Sequence, residues 1–477
     1  MNWTKKCIDK LLVDTNPYIY TAILMFMLDE ILFIHTYIGG LLKLFIVWGF
    51  AIIIVNFYND WKEKRSKFYN KYFFLIICFI LSYAITIVIN RESYVIDNVK
   101  IWCYMIAFFF CFYGIQHIQS VEEWKESLYR LSKYIVGLTF VFAVVCLLTY
   151  ILGINIQLHE PDGYTHIGMY DHRLWGVYNP NVGATLNVIS AIFTLGLFFE
   201  KKGCTKSKKI FLCVNFILQY CQLLLTGSRT SLVTLLIGVM LFFFFIWKEK
   251  KKLWNRILIS ALIGIFLFGI YQPVKVGLSY IPGTVKQVVD VSEILGLKDE
   301  SNAGKKTGKR LNLTRKEKEE DRSGGFLTGR QYLWKAGIKA LEEHPLFGIS
   351  KAGTYDKAKP YIEDDFWLLS LESSLHNSYI TVLVASGIVG FILFMMFIIL
   401  NIKDYIRLAF QKGQNPQFTL YITLLIVIAM MMITECLEGR IIYRTEVFNV
   451  LFWTFMGIAS QYTKLKEREG YDTEVTG

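Results

Sequence analysis

Five arginines and one histidine lie where long apolar runs break: Arg173, Arg229, Arg330, Arg440, Arg444 and His376. An arginine presents a planar fork that pairs a phosphate through two hydrogen bonds and never loses its charge. A histidine takes up a proton near neutral pH. Asn377 follows the histidine, and Glu435 and Glu438 precede Arg440. Together these types suit anion binding beside a proton acceptor. Each also has a plainer reading. Arg330 can snorkel to lipid headgroups. His376 can cap the next helix, and Arg440 and Arg444 can form local salt bridges with Glu435 and Glu438. His159, His166 and His172 gather near Asp162 and Asp171, at spacings that fit no standard metal site. HExxH, GxxxxGK and CxxC are absent, which leaves zinc proteases, P-loop ATPases and metal ribbons without support. No paired-carboxylate pattern suggests a retaining glycosidase.

The elements that position these residues must be membrane helices. The chain has 477 residues, 54% hydrophobic and 16% aromatic, with 19% charged and a mean hydropathy of +0.40. Soluble domains carry about 25% charge. An ordinary soluble enzyme, a disordered chain and a disulfide scaffold are therefore excluded. The nine cysteines sit mostly in apolar runs, and none lies between Gln222 and Glu435. A bilayer needs about 20 apolar residues per helix. Twelve runs qualify as expected spans, near 17–36, 41–58, 72–89, 97–115, 134–153, 181–199, 210–226, 230–247, 257–273, 378–400, 418–435 and 446–462. The first carries Asp29 and Glu30, and acids within a span are functional candidates. The expected fold class is all-α: a polytopic transmembrane bundle of about 12 spans with one large extracytoplasmic loop containing short helices.

Loop charge sets the expected orientation. Lys62, Lys64, Arg65, Lys67 and Lys71 fill one loop, Lys201, Lys202, Lys206, Lys208 and Lys209 a second, and Lys248, Lys250, Lys251, Lys252 and Arg256 a third. The short loops of the other side hold only Arg91, Arg173, Arg229, Arg440 and Arg444. The positive-inside rule then places both termini in the cytoplasm. It also accounts for the formal charge of +12 without nucleic acid. The expected organisation is a membrane region over 1–272, a large extracytoplasmic loop over 273–377, a second membrane region over 378–463 and a tail over 464–477. Residues 298–325 have almost no apolar side chains and read as a charged insertion.

The loop's last part is the most informative. Thr328 and Gln331 form a capping box. Trp334, Gly337, Ile338 and Leu341 then recur at helical spacing. Arg330 lies four residues before Trp334 on the same face, so it needs an anionic partner there. His344-Pro345 ends the helix.

GRQYLWKAGIKALEEHPLFGIS (329–350), followed by HNSYITVLVASGIVG (376–390), resembles the O-antigen ligase and polysaccharide polymerase superfamily. An arginine opens a loop helix, an HPLFG turn follows, and His376-Asn377 precedes a GxxG at Gly387 and Gly390. GSRTSL (227–232) and RLWGVYNPN (173–181) resemble that family's other arginine segments. Ser350 stands where a glycine is usual.

The resemblance implies an inverting glycosyl transfer outside the bacterial cytoplasmic membrane, without a metal, a cofactor or a nucleotide sugar. The implied donor is a glycan on polyprenyl pyrophosphate, and the acceptor is a hydroxyl of a second lipid-linked glycan. Arg330 and Arg229 would stabilise the leaving pyrophosphate, with His376 as base. Arg173, Arg440, Arg444, Asn377, Glu435 and Glu438 would bind donor or glycan. Membrane lipids and other polysaccharide-export proteins are the further partners expected, and no nucleic acid. Among the alternatives, a polymerase is preferred to a ligase acting on a lipid or cell-wall acceptor, because the Lys/Ile/Phe/Asn-rich composition suggests a Gram-positive exopolysaccharide or capsule system. A solute transporter is the alternative of another class. The absence of a visible internal repeat argues against it.

Overall fold

The computed structural model describes residues 10–31, 34–63, 70–115, 118–160, 163–200, 205–248, 251–286, 311–313, 330–362, 374–411 and 418–476. The expected capping residue Thr328 and nearly all of the charged insertion lie outside them.

Fifteen α-helices follow along the described chain. They are α1 (Asn16–Asp29), α2 (His35–Glu63), α3 (Phe73–Ile89), α4 (Val95–Phe108), α5 (Val121–Ile151), α6 (Pro180–Phe199), α7 (Lys206–Thr226), α8 (Arg229–Ile246), α9 (Leu253–Gly269), α10 (Tyr271–Lys286), α11 (Arg330–Leu341), α12 (Thr354–Ala358), α13 (Ser378–Phe410), α14 (Phe418–Thr434) and α15 (Val447–Thr476). Eleven of the twelve expected spans lie on helices, but the first, 17–36, does not: α1 stops at Asp29, which puts Asp29 and Glu30 at its end and not within a span. Among the described residues, eight helices are long and apolar enough to cross a membrane. Two further apolar helices, α3 and α14, are shorter. The all-α, polytopic expectation holds.

One exception to pure helix is a three-stranded antiparallel sheet between α5 and α6. It comprises β1 (Ile156–Glu160), β2 (Gly163–Tyr170) and β3 (Arg173–Gly176). Sequence reasoning missed it, although Pro161-Asp162-Gly163 between β1 and β2 is a turn signal.

α6 is the central helix, 83% buried along its span. With no water in the membrane interior, helices are joined by packing and by shared hydrogen bonds. Thr139 of α5 donates to Ser190 of α6 at 2.7 Å, and Asn215 of α7 donates to Thr194 at 2.7 Å. Gln219 donates to Asn215 at 3.0 Å. α9 and α10 form the periphery, only 17% buried along their span.

The two ends of the bundle differ. At one, Lys71 pairs with Asp404 at 2.7 Å and with Glu467 at 2.6 Å, and Lys125 pairs with Glu200 at 2.8 Å. The loops expected to be cytoplasmic meet there. At the other, the α3–α4 turn meets α12, where Lys357 donates to Asn90 at 2.9 Å, and the α14–α15 turn meets α11 and the start of α13. That end is the mouth.

Helix α13 is broken where it enters the bundle. Gly387 has φ 68° and ψ −173° inside it. The break frees backbone groups, which are costly in an apolar setting. The turn 345–350 satisfies them: Ile349 and Ser350 donate to the carbonyls of Val384 and Ala385 at 3.0 and 3.1 Å. Ile388 and Val389 donate to Pro345 and Leu346 at 2.9 and 3.1 Å. Ser350 itself has φ +66°, the conformation a glycine would favour. Its hydroxyl accepts from Asn98 at 3.1 Å, which secures the strained turn.

Candidate active site

α11 lies across the mouth and starts at Arg330. Its buried face is Leu333, Ala336, Gly337, Ala340 and Leu341. Ile338 is exposed, so the apolar stripe is rotated from the one expected. Gly337 permits close packing: a Cβ there would meet Leu375 at 2.9 Å. Trp334 donates to the Leu375 carbonyl at 2.8 Å, which ties α11 to the approach of α13.

This docking brings Arg330 to the α14–α15 turn. Arg330 Nη2 lies 3.2 Å from Glu438 Oε1, so the anionic partner demanded by its buried face is a glutamate of the chain itself. Arg440 Nη2 lies 3.4 Å from Glu438 Oε2, and His376 Nδ1 lies 3.8 Å from the same oxygen. Burial opposes ionisation of Glu438, but Arg440, His376 and Arg330 outweigh it and hold the carboxyl at about 2. Glu438 is thus held as an anion that faces two guanidinium groups and an imidazole.

His376 is placed by its neighbours. It has φ +48°, and its amide donates to Ser374 Oγ at 3.1 Å. Asn377 caps α13, its side chain accepting from the amides of Tyr379 and Ile380 at 2.9 and 3.0 Å. Its amide group donates to the Cys436 carbonyl at 2.8 Å. Asn377 therefore anchors the helix start to the α14–α15 turn.

Glu435 is buried in that turn. It accepts from Ser378 Oγ at 2.5 Å and from the amides of Arg440 and Ile441 at 2.7 and 3.3 Å. Burial pushes its pKa up to about 7 against those donors. Arg444 pairs with Glu446 at 2.6 Å, and Arg440 Nε lies 3.9 Å from Glu446.

The other two arginines stand apart. Arg173 Nε donates to the Thr226 carbonyl at 2.7 Å, and Nη2 donates to Asn181 Oδ1 at 2.6 Å. It closes the end of α7 and the start of α6. Gly227, at φ +66°, ends α7, and Ser228 caps α8. Arg229 is the first residue of α8 and is exposed. Arg173 and Arg229 thus flank one helix–helix turn. Tyr178, in the loop after Arg173, lies within electrostatic reach of Glu30, and Glu30 within reach of Arg440 and Glu446. Sequence reasoning missed Glu446 and Lys351, which join this cluster. Glu446 carried a usable signal, lying two residues beyond Arg444.

Fold and site define a polytopic helical membrane protein with a cation cluster, organised by glutamates, at one mouth. Residues 214–395 match the family model Wzy_C, described as O-Antigen ligase. Over this segment the chain is similar to the O-antigen ligase family, in line with the resemblance in its sequence. The matched segment includes Arg229, Arg330, His376, Asn377 and the break at Gly387, but neither Arg173 nor the α14–α15 turn. Over 95 residues the chain is 27% identical to "Exopolysaccharide production protein ExoQ" of Rhizobium meliloti (strain 1021), covering 19% of this chain and 22% of the relative. Over 235 residues it is 25% identical to an uncharacterized protein of Haemophilus influenzae, covering 48% of this chain and 50% of the relative. The chain thus spans half or less of the length of these curated relatives.

Proposed function

We propose that the protein is an extracytoplasmic polysaccharide polymerase. It would transfer glycan from a polyprenyl-pyrophosphate donor to a hydroxyl of a second lipid-linked glycan. The observation that carries this reading is the convergence of Arg330, Arg440 and His376 on Glu438. In the reaction the acceptor oxygen attacks the anomeric carbon from the face opposite the pyrophosphate, with inversion. The glycosidic bond to oxygen forms as the bond to pyrophosphate breaks, and the hydroxyl proton passes to His376. The pyrophosphate is a good leaving group, so it needs charge stabilisation more than protonation. Preorganised guanidinium groups in a water-poor site supply that. Arg444 adjoins this cluster through Glu446, while Arg229 stands apart on the turn that Arg173 fixes.

Supply of one purified lipid-linked glycan as both donor and acceptor tests the reading. Lengthening of the glycan on the lipid supports a polymerase. Transfer only to a different acceptor lipid would instead make the protein a ligase, the reading that the family description favours. Uptake of small anions into vesicles without glycan transfer would favour the transporter.

A further inference from the structure

The small sheet stands at the mouth end of the bundle. α5 leads into it and α6 leaves it, and the far ends of both helices meet at the opposite end through Lys125 and Glu200. Strands β2 and β3 carry three clustered rings. His166 and Tyr170 stack with centroids 3.4 Å apart and planes within 7° of parallel. Trp175 meets them edge-on, at 5.9 and 6.0 Å. Four residues of regular strand would hold His166 and Tyr170 ~13 Å apart. They close on each other because β2 bends at Gly168, which has φ +94° and lies at a register shift. A Cβ there would lie 2.7 Å from the Asn155 side-chain oxygen, so the bend needs glycine.

The cluster is not a closed core. Tyr170 is 47% exposed, and His166 and Trp175 are half-buried. Each ring also carries polar atoms left over. Among the described residues, the Tyr170 hydroxyl and the His166 ring nitrogens have no hydrogen-bond partner. Trp175 Nε1 is itself buried and has none either. A lipid chain would cover the faces and leave these atoms unpaired, at a cost. A phosphate would need a cation, and the one arginine or lysine of the sheet, Arg173, is committed to Thr226 and Asn181. Burial lowers the pKa of His166, which favours the uncharged ring. A neutral ligand with one apolar face and a polar edge fits all three rings. A pyranose ring has that form, with C–H bonds on a face and hydroxyls around the edge.

We infer that this sheet is a saccharide-binding platform, which holds a stretch of glycan beside the mouth by stacking a sugar ring on Tyr170, with Trp175 and His166 donating to or accepting from its hydroxyls. No covalent bond changes there. The inference rests on the glycan-transfer reading above for the identity of its occupant. It adds a site apart from the arginine–glutamate cluster. Glycan held on the platform stays at high effective concentration near the mouth, so the platform favours repeated addition to one chain and lengthens the product.

The test uses the full-length chain in nanodiscs. The probe is the oligosaccharide released by mild acid from the lipid-linked glycan, with binding followed by calorimetry. Tyr170→Ala should bind it ~10-fold more weakly than the parent, the loss of one stacking contact. Tyr170→Phe keeps the flat face and should bind nearly as the parent does. Tyr170→Leu keeps apolar bulk without the face and should bind as weakly as Tyr170→Ala, so the inference stays testable if the alanine variant fails to fold. Supplied with lipid-linked glycan, Tyr170→Ala and Tyr170→Leu should add the first unit at the parent rate yet make a shorter product. Parent-like binding and product length in folded Tyr170→Ala and Tyr170→Leu overturn the inference and leave the rings a packing cluster. Failure of the parent to bind the oligosaccharide overturns it too. If binding depends on Tyr170 but the parent lengthens no glycan, the polymerase reading fails alone. If the parent lengthens glycan and the Tyr170 variants bind and lengthen it equally, this inference fails alone.

Discussion

Gly348 and Gly387 meet backbone to backbone across the break in α13. A Cβ on Gly348 would lie 2.5 Å from the Gly387 nitrogen, and one on Gly387 would lie 2.3 Å from the Leu346 carbonyl oxygen. Both residues have positive φ, 76° and 68°. The turn 345–350 can therefore enter the helix break only because neither position carries a side chain. Through this contact the loop helix with Arg330 and the start of α13 with His376 become one unit.

Gly387→Ala should consequently be severe. A positive φ with ψ near 180° is essentially confined to glycine and costs ~1–3 kcal/mol with a Cβ, and the clash with backbone adds to it. Gly137→Ala in α5 is the control, since nothing lies within 4 Å of its added carbon. Thermal unfolding of the purified variants should show a large loss for Gly387→Ala and little change for Gly137→Ala. Equal midpoints would mean that the plug does not hold the mouth together.

Glu435 predicts a dependence of stability on pH. Its folded pKa of about 7 is raised from 4.5, chiefly by burial. Folding therefore favours its protonated form. This contribution is fully present below about pH 4.5 and is lost as pH rises through 7, on the order of 3 kcal/mol in all. Glu438, held at about 2, acts in a separate window: its contribution is lost as pH falls from 4.5 towards 2. Denaturation between pH 5 and 8 should show a less steep fall of stability with pH in Glu435→Gln than in the parent. An unchanged slope would place the titrating group elsewhere.

Much of this was legible in the sequence, for physical reasons. Lipid demands long apolar runs, so eleven of the twelve expected spans found their helices. An arginine on a buried helix face needs an anion, and Arg330 has Glu438. What stayed hidden depends on long-range pairing. The positive φ at Gly387 made no mark in a run that reads as continuous helix. Asn377 gave no sign that it would reach Cys436 across the mouth. Arg173 looked like an anion binder, yet its donors meet Thr226 and Asn181. Lys351 carried no mark in the sequence, and only folding buries it.

Sidedness can be measured directly. The side chains of Glu342 and Glu126 are 64% and 67% exposed, at opposite ends of the bundle. With the nine native cysteines replaced by Ser, a membrane-impermeant maleimide should label Glu342→Cys in intact cells, and Glu126→Cys only after permeabilisation. The reverse pattern would invert the proposed topology and remove the mouth from the extracytoplasmic side.

The central claim is that Arg330 and His376 act in glycan transfer at the mouth. It is tested most directly by the rate at which purified chain lengthens a polyprenyl-pyrophosphate-linked glycan. Arg330→Ala should lower that rate about a hundredfold or more, the usual loss for one preorganised transition-state contact, with Arg330→Lys restoring only part. His376→Gln should lose transfer while still binding donor, because glutamine keeps a hydrogen bond but cannot take the proton. Folded Arg330→Ala and His376→Gln proteins that lengthen glycan at the parent rate would contradict the account.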